Sequence, residues 1–292
     1  MPFIRIACDE NDPNSGNAAA AVMARTLGML SHPIAGPPVK GSRPEKTQPT
    51  NPNKLTIKQH VFPKRCLESF ADQRGRVAVF DMLRGKLRHA RPDDHIFCAM
   101  RAWDQPTEAH MKHIEDRFQA TVRPIRRGKV NTIAAAQKHD IDKMFALWYM
   151  RTRYRRLDAQ EVQLGGVLGT DLTLAEEENL EKNGYLFARA GGKMPARQLN
   201  GVQLRKRMAD YASELVAAVS GWGVIHAQSG EFIVPDMPVH MIIPLSPRLA
   251  LAASAPDGTI LEANVAEINS AVRAGSLEYY FARDLSMCPF AI

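Results

Sequence analysis

The sequence predicts an α+β protein, a central helical bundle packed on a small, mostly antiparallel sheet, with a disordered N-terminal arm. Three observations lead there. Apolar residues recur at helical spacing in long stretches between residues 106 and 219. Short apolar runs separated by Gly, Pro and Ser occupy residues 221–254. Residues 9–54 are rich in Pro, Asn, Gly, Ser and Lys, with "HPIAGPPVKGSRPEKTQPTNPNK" the extreme, and offer little apolar surface to offset the entropy of ordering.

The elements follow in chain order. Residues 1–54 form the low-complexity arm, with a short helix expected at 17–30 where "NAAAAVMARTLGML" follows an Asn cap. A single α+β domain is expected over 55–292. In "HVFPKRCLESFA" Pro63 suits a first helical position and points Leu67 and Phe70 inward. "RVAVFDML" with "RGK" after it predicts a hairpin over 76–89. From Pro106, "PTEAHMKHIEDRFQATV" sets Met111, Ile114 and Phe118 on one helix face, with Thr107 as the expected cap. Residues 139–155 repeat the pattern through Ile141, Met144, Phe145 and Trp148. "TLAEEENLEKNG" has capping-box spacing from Thr173 to Glu176 and closes on Asn183-Gly184. A long helix over 195–219 carries Leu199, Val202, Met208, Leu215 and Val219. "WGVIHA", "EFIVP", "HMIIPL" and "RLALAAS" read as one small sheet; "ANVAEINSAVRAG" is helical with Asn264 capping, and "SLEYYFARD" is a last strand.

Composition bounds the function. At 292 residues and 45% hydrophobic content the chain can fill a substantial core, and its net charge of +7 suits a polyanionic partner. Cys8, Cys66, Cys98 and Cys288 are scattered without a C-x-x-C pair, which predicts neither a structural zinc nor a disulfide framework and fits a cytoplasmic protein with reduced thiols. No stretch reaches the roughly 18 uninterrupted apolar residues of a membrane span, and the acidic start is unlike a secretory leader, so no membrane association is expected.

Five polar residues stand where the local pattern asks for apolar ones: His60 before Val61-Phe62, Glu115 between Met111 and Phe118, Arg151 three after Trp148, Asp236 in "FIVPDMPVHMIIPLSP", and Asn269 on the last helix. Each also has a structural reading. Asp236 can start a turn, Arg151 and Glu115 can be one ion pair holding two helices together, and a lone inward His is commonly a hydrogen-bonded core residue.

The segments that carry these residues resemble a bacterial family labelled domain of unknown function 4238. "HVFPKRCLESFAD" resembles its opening His-x-x-Pro pattern, "AHMKHIEDRF" its Glu-bearing helix and "ALWYMRTRYR" its Arg-bearing helix. "GWGVIHAQSGEFIVPDMPV" resembles its Trp, hairpin and Asp-x-Pro, and "VAEINSAVRAGSLEYYFA" its Asn helix and closing strand. The resemblance spans about residues 55–283 and implies His60, Pro63, Glu115, Arg151, Asp236, Pro238 and Asn269 as the matched positions. Lys64-Arg65-Cys66 departs from the family's aromatic in that region. The family brings no activity with it, and a role as an effector of a bacterial defence or toxin system is suggested by the resemblance alone.

If the five converge, His60, Glu115 and Asp236 suit Mg²⁺ or Mn²⁺, and Arg151 would neutralise charge developing on a phosphoryl group, which describes a metal-dependent nuclease or phosphodiesterase. His60 can instead serve as a metal-free general base, and His240 is a further candidate ligand. Arg126 and Arg127, Arg153, Tyr154 and Arg155, and Arg205 and Arg207 are the expected nucleic-acid contacts, with Tyr154 stacking on a base. The competing expectation is a non-catalytic module that binds nucleic acid or, through the arm, a protein, with the buried polar groups only fixing the fold. There is no Walker loop, G-x-S-x-G elbow or HExxH.

Overall fold

The computed structural model describes residues 45–155 and 161–291. The helix expected at 17–30, Cys8 and all of the arm before Glu45 lie outside them. The described residues form six α-helices: α1 (Lys64–Glu68), α2 (Gln105–Arg126), α3 (Lys138–Tyr154), α4 (Leu174–Lys182), α5 (Ala196–Ala218) and α6 (Glu262–Gly275). Twelve short strands accompany them: β1 (Lys58–His60), β2 (Val77–Asp81), β3 (Lys86–Ala90), β4 (Cys98–Met100), β5 (Val162–Gln163), β6 (Lys193–Met194), β7 (Trp222–Ala227), β8 (Val234–Pro235), β9 (Ile242–Ser246), β10 (Leu249–Ala253), β11 (Gly258–Ile260) and β12 (Tyr279–Ala282). The expected α+β architecture is the one the chain adopts.

The strands make two four-stranded sheets, ordered β11-β7-β10-β9 and β3-β2-β12-β8, and two two-stranded ones, β1-β4 and β5-β6. Every named pairing is antiparallel except β11 with β7. The hairpin expected at 76–89 is β2-β3, with Asp81 opposite Lys86. The late apolar runs were expected to share one sheet. They divide instead: β8 pairs with β12, so Val234 and Pro235 belong to the other sheet from β7, β9 and β10.

The inner strands β10 and β12, one in each larger sheet, are covered on two faces. Along β10, Leu249, Leu251 and Ala253 enter the main core with Trp103, Phe118, Trp148 and Leu215, while Ala250 and Ala252 enter a second core with Val265, Ile268 and Val272 of α6. Tyr279 and Phe281 against Tyr280 and Ala282 divide β12 in the same way. A strand with no watery side has no reason to alternate polar and apolar residues, which is why "RLALAAS" reads as a continuous apolar run.

Helices α2, α3 and α5 pack together to form the bundle. Asp104, not Thr107, caps α2: its carboxylate accepts the Thr107 amide at 3.0 Å. Helix α5 crosses close to this cap at Gly201, where a β-carbon would lie 2.5 Å from Asp104 Oδ1 and 2.6 Å from Thr107 Oγ1. Of the residues expected to line α5's inner face, Met208, Leu215 and Val219 are buried but Val202 is 39% exposed; Leu204 and Tyr211 take the inward positions. On α6, Asn264 does not precede the helix; its side chain reaches back to the Leu261 amide at 3.3 Å.

Helix α4 inverts the usual pattern. Its capping box of Thr173 and Glu176 forms as the spacing predicts. Its buried residues, however, are Glu177, Glu178 and Glu181, while Leu174 is 40% exposed. Cations that the local sequence does not reveal meet those carboxylates. Glu181 accepts from Arg101 Nη2 at 2.8 Å and Arg197 Nε at 2.7 Å, and Glu177 accepts from Arg189 Nε at 2.6 Å and Nη2 at 2.7 Å. Glu178 takes the Gln48 amide at 2.7 Å and the Gln48 side chain at 2.8 Å, and Glu45 pairs with Arg189 and Arg197. Residues 45–53, read from the sequence as the end of the arm, are thereby strapped to α4. Among the described residues no helix is long and apolar enough to cross a membrane.

Candidate functional site

Arg151 projects from α3 into the space between α2 and α3 with 1% of its side chain exposed. Glu108, Met111 and Glu115 recur at three- and four-residue intervals along α2 and therefore meet it from one helix face. The Arg151 guanidinium pairs with Glu115, lies 3.8 Å from the Glu108 carboxylate, approaches Met111 Sδ at 3.3 Å and sits 5.7 Å from the Trp103 ring centre. Trp103 Nε1 in turn donates to Glu108 at 2.6 Å. The ion pair between two helices that the spacing allows is formed, and Arg151 has its positive charge balanced from more than one direction.

His60, at the end of β1, borders this group. Its Nε2 lies 3.0 Å from the Pro92 carbonyl, which can only accept, so Nε2 carries the proton and Nδ1 is the free acceptor of the neutral ring. Burial lowers its pKa below the ordinary histidine value; the Pro92 carbonyl and the nearby Glu115 charge act against that, and Arg151 and Lys64 with it. His60 therefore lies within electrostatic reach of the Glu115–Arg151 pair.

Asp236 belongs to a different set. It is 1% exposed, and its carboxylate accepts the main-chain amides of Leu277 at 2.9 Å and Glu278 at 3.0 Å, in the turn that leads into β12. Its own amide bonds the Tyr279 carbonyl at 3.0 Å, and its carbonyl accepts from Thr152 Oγ1 at 3.1 Å. Asp236 fastens β8, β12 and α3 together. Asn269, fully buried on α6, accepts the Ile233 amide at 3.0 Å and donates to the carbonyls of Glu231 at 2.8 Å and Pro289 at 3.0 Å. It holds two passing segments of main chain, and none of these partners belongs to the His60 group. His240, the further candidate ligand, has Nε2 3.1 Å from the Ala271 carbonyl, and burial lowers its pKa. The five residues thus divide into one trio and two separate main-chain anchors.

The expected metal set does not fit this arrangement. Asp236 is bound to the turn into β12, apart from His60, and Glu115 is paired with Arg151. Among the described residues no three His, Cys, Asp or Glu side chains are gathered so as to hold a metal ion.

The basic residues also separate. Arg127 and Arg207 are exposed, and Arg205 is half-buried. Arg153 lies over Tyr149 at 5.6 Å, and the Arg207 charge reaches Tyr154, so α3 and α5 bring two of the expected cations together. Three expectations need correction. Tyr154 is 3% exposed, its hydroxyl 3.5 Å from Gln203 Oε1, so it offers no face to a base. Arg155 is withdrawn into an ion pair with Glu278 at 3.1 Å beneath Tyr279. Arg126 spends its guanidinium on Ser69 and on Gln119 Oε1, the latter at 2.7 Å.

Sequence reasoning missed a surface feature near His60. A hollow of about 390 Å³ is lined by Lys58, Arg76, His89, Arg91, Asp93 and Asp94, together with Ala90. Arg76 and Arg91 flank the β2-β3 hairpin, so they are 15 residues apart in sequence yet meet because the antiparallel partners Val77 and Ala90 stand opposite each other. The signal available in the sequence was the hairpin itself, with a cation just beyond each end.

The chain matches no family model, no curated protein and no solved structure. The resemblance to domain of unknown function 4238 therefore rests on the quoted motifs.

Proposed function

We propose that this protein is a non-catalytic nucleic-acid-binding module whose buried polar residues hold the fold. The observation that carries the reading is the placement of Asp236: a general base or metal ligand has to face a substrate, whereas this side chain is 1% exposed and holds the Leu277 and Glu278 amides of the turn into β12. Asn269 is committed in the same way. The charge of +7 and the exposed Arg76, Arg91, Arg127 and Arg207 supply a cationic surface for phosphates. The reading also takes the protein as cytoplasmic, consistent with Cys66, Cys98 and Cys288 being buried free thiols.

A second reading, a phosphodiesterase or nuclease serving a bacterial defence system, keeps one observation in its favour. His60 is neutral near pH 7 beside Arg151, with Nδ1 able to accept a proton. One experiment separates the two: the wild-type protein and His60→Ala are incubated with mixed RNA and DNA, with Mg²⁺, with Mn²⁺ and with chelator, while binding is followed against salt. The first reading expects salt-dependent binding without cleavage. Cleavage by the wild type that disappears in a His60→Ala protein of unchanged melting temperature overturns it in favour of the second.

A further inference from the structure

The hollow bounded by β1, β3 and the loop after β3 has a composition suited to one class of ligand. Lys58 comes from β1, Arg76 from the residue before β2, His89 from β3 and Arg91 from the loop that follows. All four are exposed at the surface, yet each comes from a strand or lies next to one. Lys58 Nζ is positioned over the rim by the Asp93 carbonyl, to which it donates at 3.1 Å. Neither the Arg76 nor the Arg91 guanidinium has an ion-pair partner among the described residues.

The acids in the wall do not cancel these charges. Asp94 is taken by Arg88, whose two terminal nitrogens donate to it at 3.0 and 2.9 Å, and it also caps the Ile96 amide at 3.0 Å. That fork holds the Asp94 carboxyl below its usual range and consumes it as a partner for the hollow. Asp93 leaves one acid against the charges of Lys58, Arg76 and Arg91. Asp72 and Asp284, which reach His89 through space, each stand near a cation of their own, Arg74 and Arg283 respectively. A concave surface with low-dielectric walls and a positive excess focuses the field on an anion. Two guanidiniums without an ion-pair partner among the described residues match the oxygens of a phosphate in a way that point charges do not.

We infer that this hollow binds a phosphate group; resting on the nucleic-acid reading above, that group is a backbone phosphate, gripped by Arg76 and Arg91 with Lys58 and His89 at the rim. The inference also gives His60 a positioning role. Its bond to the Pro92 carbonyl holds the loop that carries Arg91.

The test uses the full chain. Binding of short fluorescent RNA and DNA oligonucleotides is measured between about 50 and 200 mM salt for the wild type, for Arg76→Ala/Arg91→Ala, and for Lys182→Ala/Arg248→Ala, which removes two exposed cations outside the hollow, as a control of equal charge. Melting curves verify that all three fold. The hollow predicts that its double variant loses roughly 10- to 50-fold in affinity at about 0.1 M salt and about 1.4 to 1.8 in the slope of log K against log salt, while the control stays within a few-fold. Equal loss in both variants, or loss only in the control, overturns the hollow and leaves nucleic-acid binding standing. If no oligonucleotide binds the wild type, the nucleic-acid reading fails, and inorganic phosphate decides for the hollow. Shifts of the His89 ring resonances on phosphate addition, absent in Arg76→Ala/Arg91→Ala, keep it as a phosphate site, and no shift overturns it as well.

Discussion

Replacing Asp236 by alanine is the perturbation that best separates a scaffold from a catalyst. The side chain is 1% exposed and its carboxylate accepts two main-chain amides at 2.9 and 3.0 Å. A hydrogen bond to a charged group contributes about 1.5–3 kcal/mol, so two set an upper range of about 3–6 kcal/mol. Leu277 is 45% exposed, so water can reach part of this turn and recover some of that loss. Removing a desolvated charge also returns part of its burial cost. A net loss of about 3 kcal/mol remains, which for a body of this size lowers the melting temperature by roughly 6–12 °C. Asp236→Asn keeps one good acceptor and should lose about half as much. Urea unfolding followed by far-ultraviolet circular dichroism gives the free energies, and an unchanged denaturant slope verifies that the comparison is sound. A loss below about 1 kcal/mol in Asp236→Ala refutes the reasoning, because the carboxylate would then be spare and available for chemistry.

Other outcomes follow from the same packing. Glu181→Leu leaves the buried guanidiniums of Arg101 and Arg197 without their shared carboxylate, and should destabilise by about 3–5 kcal/mol in the same urea assay. Gly201→Ala drives a β-carbon into Asp104, and should weaken the cap of α2 by about 1 kcal/mol, visible as faster hydrogen exchange in the first turn of that helix. Glu45→Ala/Gln48→Ala should release the strap over α4, detected as earlier proteolytic cleavage N-terminal to Leu55 with only a small change in melting temperature. His60 and His240 both have folded pKa values below that of the unfolded imidazole, so their neutral forms are favoured by folding. Their contribution is full above about pH 6.5 and is lost as pH falls toward the lower folded values; urea midpoints from pH 7.5 to 5.5 should fall, and His60→Gln should flatten part of that fall.

Much of the fold is written locally. Residues 139–155 became α3 because Ile141, Met144, Phe145 and Trp148 repeat at the helical period, and the Thr173 capping box forms because its two partners are three residues apart. Such signals need nothing beyond the chain's own neighbourhood. Glu115 and Arg151 were likewise visible as polar residues on apolar stripes, and their meeting follows from the packing of α2 on α3. The residues that mark a buried polar position do not say what faces them. Asp236 and Asn269 were legible as anomalies, but only the return of β12 beside β8 and the passage of residues 231–233 under α6 turned them into main-chain anchors. The buried acidic face of α4 and the cationic hollow were illegible for the same reason. Arg101, Arg189 and Arg197 come from separate elements to meet the α4 carboxylates, and Lys58 joins Arg76 and Arg91 only through strand pairing. Periodicity and capping are short-range properties of one segment and sequence order determines them; the neutralisation of a buried charge depends on which distant segment arrives beside it, and only the tertiary structure decides that.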